Sequence, residues 1–386
     1  MNLYFDNAAT SYPKPEEVHA AVQRYGLECG ASAGRGAYRQ ARQAGDIIAI
    51  ARARLARLFN APDPERVIFT LNCTDALNLA IKGLVRPGGH VVYTAMEHNS
   101  VLRPLRKLVE AGAITTTRVP ADHEGRIDPR NVILAMRPET CLVAVVHASN
   151  VSGTLQPVEE IAPECRRRGI PLLLDAAQSA GHVPIDVTAM GVDLLAAPGH
   201  KGLLGPLGTG VLIVRPGLEL DTLREGGTGS RSEEDRQPDF WPDRHEAGSH
   251  NLPGISGLSA GVDWLLSRGV AALRRREEEL MRLVLSELPH LPGVSLYGPT
   301  DVARRVGVFS FRIEGMDPLE LGRRLDDDFG VKVRSGLHCA PAAHRALGTF
   351  PDGTVRASLG HFHEEADVAA LLSAVERLTT VCRAGC

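Results

Sequence analysis

No stretch of this chain approaches the roughly 18 uninterrupted apolar residues that a membrane-spanning helix requires. The opening residues Met1-Asn2-Leu3-Tyr4-Phe5-Asp6 lack the charged and then apolar segments of a secretory leader, so a cytoplasmic protein with no membrane partner is expected. No basic run stands out either. A net charge of -3 leaves no electrostatic footprint for nucleic acid or an anionic bilayer, and the expected partner is a small molecule or another protein. The seven cysteines, Cys29, Cys73, Cys141, Cys165, Cys339, Cys382 and Cys386, are odd in number and scattered. That pattern suits reduced thiols better than a disulfide framework. There is no Cys-x-x-Cys pair, and no histidine lies close in sequence to Cys382 and Cys386; no metal site is expected.

Lysine is scarce, at five residues against 38 arginines. Lys14 stands between two prolines, Lys82 and Lys107 fall in helix-like stretches, and Lys332 precedes another candidate segment. Only Lys201, in Pro198-Gly199-His200-Lys201, follows an apolar strand (Asp193 to Ala197) and precedes a glycine-rich turn, Gly202 to Gly210. A second strand-like run, Pro171 to Asp175, ends on a carboxylate. A lysine and an acid at the ends of neighbouring strands can hold opposite ends of pyridoxal phosphate. The amine condenses with the aldehyde, and the carboxylate keeps the ring nitrogen protonated so that the ring accepts electrons. That pairing points to carbanion chemistry on an amino acid. A solvated turn lysine and an N-capping aspartate are the plain alternatives for either residue alone.

At 386 residues with 44% hydrophobic content, the chain is long enough for two domains and a sizeable core. From about residue 42 to 215, short β-branched runs alternate with helical periodicity. The strand candidates are Val67 to Thr70, His90 to Thr94, Thr115 to Val119, Cys141 to His147, Pro171 to Asp175, Leu194 to Ala197 and Gly210 to Val214. Helix candidates between them include Arg42 to Phe59, Thr74 to Val85, Ser100 to Ala111 and Val158 to Arg168. Apolar strands separated by helices predict an α/β fold, a mostly parallel seven-stranded sheet covered on both faces, with ligands at the carboxyl ends of the strands.

Between Glu225 and His250 the composition turns to glycine, mixed charges and Pro238-Asp239-Phe240-Trp241-Pro242. A loop of this length is read as functional, with Phe240 and Trp241 expected to be buried. Helices at Gly254 to Arg268 and Val270 to Leu288, strands at Val306 to Ile313, Val331 to Arg334 and Val355 to Ser358, and a closing helix from Glu364 to Arg383 break the earlier alternation. They predict a smaller α+β domain. The expected division is an N-terminal arm (1–16) packing on the small domain, a large domain (17–255) and a small domain (256–386).

Other residues expected on the strand-end rim extend the reading. Asn72-Cys73-Thr74-Asp75 opens a helix directly after Val67 to Thr70, where backbone N–H groups and the helix dipole suit a phosphate; Thr74 is a phosphate donor or a cap alone. Gln178, three residues after Asp175, can reach a phenolic oxygen. His98, in Glu97-His98-Asn99-Ser100, can stack on a pyridine ring and move protons, since imidazole titrates near working pH. Cys339, in Arg334-Ser335-Gly336-Leu337-His338-Cys339, has a basic residue and a histidine nearby that favour the nucleophilic thiolate. Cys73 competes with it, because a helix N-terminus also depresses a thiol pKa, but it would face the phosphate and not the reacting carbon. Arg356 ends a strand of the smaller domain and can fork onto a substrate carboxylate.

Taken in order, Phe5-Asp6-Asn7-Ala8-Ala9-Thr10, Glu97-His98-Asn99, Ala148 to Thr154, Asp175 to Gln178, Gly199-His200-Lys201, Glu246-Ala247-Gly248-Ser249, Arg334 to Cys339 and Arg356-Ala357-Ser358 form a pattern running nearly end to end. It resembles the class V, fold-type I pyridoxal-phosphate enzymes, and most closely the type II, SufS-like cysteine desulfurases and selenocysteine lyases. The resemblance implies that Lys201 holds the cofactor covalently, Asp175 pairs with the ring nitrogen, Gln178 contacts the ring oxygen and His98 stacks over the ring. Thr74 and His200, with Cys73 alongside, would bind phosphate, helped by Ser249 from a second subunit in a homodimer. Asn150 and Arg356, beside Ala8, would hold the carboxylate of L-cysteine or an analogue. Cys339 would take its sulfur as a persulfide and pass it to a protein acceptor.

Four positions depart from that pattern. Pro198 replaces a serine three residues before the lysine, and Leu337 stands where the first of two histidines is common. Ala33-Gly34-Arg35-Gly36 lacks a preceding histidine, and His361-Phe362-His363 replaces an aromatic-Asn-Thr run. The alternatives are another class V reaction with Cys339 incidental, on selenocysteine, a cysteine sulfinate or an S-substituted cysteine, or an aminotransferase. A non-catalytic sulfur-relay scaffold is the other.

Overall fold

The structure, a computed structural model, describes residues 1–34 and 36–384, with side chains through residue 380. Arg35, Cys382 and Cys386, noted in the sequence, lie outside the described residues or side chains. After an N-terminal arm come α1 (Glu16–Arg24), α2 (Arg39–Phe59), β1 (Val67–Thr70), α3 (Cys73–Leu84), β2 (Gly89–Thr94), α4 (Asn99–Glu110) and β3 (Ile114–Val119). The chain continues through α5 (Pro129–Ala135), β4 (Thr140–Val146), α6 (Val158–Arg167), β5 (Leu172–Asp175), α7 (Val187–Met190), β6 (Leu194–Pro198) and β7 (Gly210–Val214). Then follow α8 (Leu252–Arg268), α9 (Val270–Glu287), β8 (Val294–Tyr297), β9 (Val308–Ile313), α10 (Pro318–Phe329), β10 (Arg334–Gly336), α11 (Pro341–Ala346), β11 (Thr354–Ser358) and α12 (Glu365–Ala384).

The first seven strands form one sheet in the order β1-β7-β6-β5-β4-β2-β3. Only β7 runs against the rest, pairing antiparallel with β1 and β6. The other six therefore send their carboxyl ends to one rim, where an α/β sheet binds its ligands. Their side chains are buried on both faces, as in Leu172-Leu173-Leu174 and Leu194-Leu195-Ala196-Ala197, which is why these runs read as continuously apolar. Helix α2 packs one stripe, Ala44, Ile48, Ala51, Leu55 and Phe59, into that core at the i, i+3/i+4 spacing of an amphipathic helix.

The four remaining strands form a second sheet, β10-β11-β9-β8, antiparallel at each pairing, with Phe309, Phe311, Val355 and Ala357 facing α9 and α12 in one core. Three features differ from the sequence reading. Strand β10 begins at Arg334 and not at Val331, because pairing with β11 starts at Arg334 opposite Arg356. The expected division at 255 falls inside α8, whose Leu252, Ile255, Leu258, Val262 and Leu265 belong to the core of the large sheet. In the loop before α8, Phe240 stays 36% exposed and Trp241 only half-buried. Arginines cover them instead, Arg231 over Phe240 and Arg66 over Trp241, with the guanidinium carbons 5.1 and 4.0 Å from the ring centroids.

The two sheets are joined along the loop after β4. Four consecutive carbonyls there accept from the second sheet and its flank. Asn150 O accepts from Arg356 Nη1 at 3.0 Å, Val151 O from Ser310 Oγ at 2.7 Å, Ser152 O from Arg305 Nη2 at 2.9 Å and Gly153 O from Val306 N at 2.9 Å. Arg305 is wholly buried and directs further donors at the Pro299 and Val308 carbonyls. Gly153 sits at φ +75°, where a Cβ would lie 2.2 Å from the Val308 carbonyl oxygen.

A buried carboxylate ties the ends of β2 and β4. Glu97 Oε1 accepts from Thr94 Oγ1 at 2.7 Å and from Val146 N at 2.8 Å, while Oε2 is buried without a partner. Burial pushes its pKa to about 8, against these two hydrogen bonds. The folded state thus binds a proton that the unfolded chain releases at ordinary carboxylate pH, so this group costs stability increasingly as pH rises towards 8. Glu97→Gln keeps both acceptor contacts and removes the charge. Its stability relative to the parent should rise between pH 5 and 8 in denaturant unfolding, an expectation that a pH-independent difference would refute. Gly153→Ala should cost about 3 kcal/mol or more in the same assay, through left-handed strain and the clash at the seam.

Candidate active site

The strand-end rim of the large sheet encloses a cavity lined by Thr74, His98, Asn150, Asp175, Gln178, His200 and Lys201, with Cys73 and Ser100. The elements that bring them there are local. Asn72 caps α3 by accepting from Asp75 N at 2.9 Å, so α3 begins at the cavity wall, which Cys73 and Thr74 line. Asp175 is the last residue of β5, and Lys201 follows β6, its immediate parallel neighbour.

Asp175 is 2% exposed, accepts from Ala177 N at 2.9 Å and touches Cys73 Sγ at 3.7 Å. Burial pushes its pKa up, opposed by the Ala177 N–H and by Lys201. Burial likewise pushes the Lys201 amine down, opposed by Cys73 and Asp175. The acid and the amine are both drawn towards neutrality by one dry cavity. Cys73 does not carry the depressed pKa expected of a helix N-terminus. Burial and the adjacent Asp175 push its thiol well up, which removes it as a rival nucleophile.

His98 caps α4, its Nδ1 accepting from Ser100 N at 3.1 Å and lying 2.9 Å from Ser100 Oγ. Its proton therefore sits on Nε2. Burial, then Lys201, Arg103 and Arg356, press its pKa to about 4, so the ring is neutral at working pH and does not titrate there as the sequence reading supposed. Ser100 also bonds Thr74 Oγ1 at 2.7 Å, linking the two helix starts. His200 is pressed to about 4 by burial and Lys201, and its Nδ1 is buried with no partner.

Gln178 donates from Nε2 to Ala8 O at 2.9 Å, and Ala8 N donates to Ser358 Oγ at 2.8 Å; Ala8 thus sits between the two sheets. Asn150 donates from Nδ2 to His338 O at 2.6 Å while its Oδ1 is buried and unpartnered. Arg356, 3% exposed, donates to Asn150 O and to Asp6 Oδ1 at 3.0 and 3.2 Å, leaving Nε unpartnered.

Cys339 is exposed, and both it and His338 adopt left-handed backbone, with φ of 56° and 49°. Two consecutive residues other than glycine in that region store strain, which persists only where surroundings over-determine it. Here Asn99 N holds Cys339 O at 2.9 Å, and Asn150 holds His338 O. The His338 ring turns away from the thiol, bonding His344 Nε2 and Arg334 O at 3.2 Å each. Burial presses its pKa to about 2, so it is not the cationic neighbour expected for Cys339.

Ser249 is not brought into this cavity within one chain. It lines a separate pocket with Leu71, Gly208, Glu246 and His250, where Glu246 also receives a paired contact from Arg52. Sequence reasoning assigned no role to Asp6, Asn72, Glu97 or Ser100. A helix-start pattern marks Asn72 and Ser100. Nothing local marks Asp6, whose partner Arg356 is 350 residues away.

The donor set fits pyridoxal phosphate on its own chemistry. The buried Asp175 would gain from a cationic ring nitrogen, the unpartnered His200 Nδ1 and the α3 N-terminus would gain from phosphate oxygens, and Lys201 is the sole lysine on the cavity wall. The Aminotransferase class-V family profile matches residues 3–371. A "Probable cysteine desulfurase" of Methanothermobacter thermautotrophicus is 36% identical over 383 residues, covering 98% of this chain and 94% of the relative. A cysteine desulfurase of Salmonella agona is 32% identical over 390 residues, covering 97% and 93%. The apo structure of a cysteine desulfurase from Thermococcus onnurineus superimposes with a TM-score of 0.91 at 34% identity, covering 98% of this chain and 94% of that one. With its mostly parallel sheet, strand-end lysine and aspartate, and full-length match, the chain belongs to the pyridoxal-phosphate-dependent class-V aminotransferase family.

Proposed function

We propose that this protein is a cysteine desulfurase that converts L-cysteine to L-alanine and leaves the sulfur on Cys339 as a persulfide. The reading rests above all on Lys201 and Asp175 lining one cavity, with an exposed Cys339 tied to its rim. Lys201, Asp175, Gln178, His98, Thr74 and His200 would hold pyridoxal phosphate. When bound, that cofactor supplies an electron-accepting ring that stabilises negative charge at the Cα of the amino acid.

The remaining work falls to the chain's own groups. Arg356 and Asn150 bind the substrate carboxylate, which supplies an acceptor for the unpartnered Arg356 Nε and fixes the Cα near Lys201. The Lys201 amine, its pKa lowered by burial, is a base for the Cα proton. His98, neutral and held by Ser100, presents a flat face to the ring without adding charge. The Cys339 sulfur, as thiolate, attacks the substrate sulfur. The new S–S bond forms as the substrate's Cβ–sulfur bond breaks, the electron pair stays on Cβ and takes up a proton there, and Lys201 returns a proton to Cα to complete alanine. The left-handed turn at His338 and Cys339 keeps the thiol on an exposed loop, where a protein acceptor reaches the persulfide.

A homodimer is part of the reading. Ser249 and the exposed Leu71 and Leu207 lie at or beside the same pocket, and a second copy seated there would carry Ser249 to its partner's phosphate site. With no helix long and apolar enough to cross a membrane among the described residues, we place the enzyme in the cytoplasm.

Incubation with L-cysteine should yield alanine and sulfide, and mass spectrometry should find one added sulfur atom on Cys339. Cys339→Ala should abolish the adduct and most sulfide release; full alanine and sulfide production by this variant would refute the persulfide route. Lys201→Ala should lower turnover by about 10² or more.

A further inference from the structure

Strands β10 and β11 pair with Arg334 directly opposite Arg356, and like charges so placed repel one another. Asp6 stands against both. Arg334 forks onto its carboxylate, Nε and Nη2 lying 3.1 and 2.8 Å from Oδ2, while Arg356 Nη2 donates to Oδ1 at 3.2 Å. The arginines are otherwise unalike: the Arg356 side chain is 3% exposed and that of Arg334 52%. Asp6 owes its place to backbone pairing. It bridges to Ser358, two residues beyond Arg356, and Ser358 N donates to Phe5 O at 2.7 Å. The N-terminal arm thereby delivers one carboxylate to two cations and leaves a single net positive charge, which matches one amino-acid carboxylate.

We propose that Asp6 is a positioning residue for the substrate arginine, screening Arg356 from Arg334 and holding its guanidinium in the orientation that receives the carboxylate. The inference rests on the role proposed above for Arg356. Without the Asp6 charge, the two arginines face each other unscreened across the strands. Arg356 also loses a charge-assisted hydrogen bond while its Nε already lacks a partner. Because the damage comes from Arg334, removing the charge of Arg334 should repair it. A purely structural role for Asp6 has no such remedy.

The holoenzyme carrying Asp6→Asn, Arg334→Gln or both is compared with the parent for KM and kcat on L-cysteine and for thermal unfolding. Asp6→Asn should raise KM about tenfold or more, the worth of one charged hydrogen bond, with kcat largely kept. The double variant should recover most of that loss, and Arg334→Gln should destabilise the parent but not the Asp6→Asn background. A double variant no better than Asp6→Asn in KM, or an Asp6→Asn effect confined to kcat, overturns the proposal. Should the parent make no alanine from cysteine, the desulfurase reading fails, and the unfolding cycle still decides whether Asp6 couples the two arginines; additive effects there overturn the coupling.

Discussion

The row of four carbonyls from Asn150 to Gly153, each taken by a donor from the second sheet or its flank, is the constraint on which the site depends. The large sheet alone brings Lys201, Asp175 and His98 to one rim. It does not bring Arg356 or Cys339, which belong to a different sheet. The seam sets the two groups facing each other, and Gly153 lets the backbones meet at a distance that any side chain would prevent. Asn150 shows the economy of the arrangement: its carbonyl belongs to the seam, its amide holds the turn that carries Cys339, and its Oδ1 is left for a ligand.

Around that seam the electrostatics follow from dryness more than from ion pairing. His98, His147, His200, His338 and His344 are all pressed down, with burial the leading cause in each. Lys201 is pressed down and Asp175 and Glu97 up by the same cause. A cofactor carrying a cationic ring nitrogen and a phosphate would restore charge partners to groups that the folded chain has desolvated. Arg356 is the exception, a buried cation that keeps a carboxylate, Asp6, in contact.

Much of the large sheet was legible in the sequence because each strand is a short apolar run closed by turn residues; the limits of β1 and β7 were read to the residue. Lys201 and Asp175 were legible for the same reason, since each terminates or follows such a run. The second sheet was harder. Strand β8 went unread, being half-exposed and short, and β10 was displaced because its register is set by β11 and not by its own composition. Phe240 and Trp241 were expected to be buried; Trp241 is half-buried against a core beneath Arg66, while Phe240 stays exposed beneath Arg231, a choice that hydrophobicity alone does not reveal.

The sequence by itself determined the alternation that makes a mostly parallel sheet, the residues at its strand ends, and the order of motifs that places the chain in its family. These are short-range properties, carried by periodicity and by caps within a few residues. Tertiary structure decided which charges exist and which groups meet. It made His98 and His338 neutral, closed Cys73 as a nucleophile, and brought Asp6 to Arg356 across nearly the whole chain. A pKa depends on surrounding solvent and charge, and a contact across 350 residues depends on how two sheets dock, and neither is written in any local run of residues.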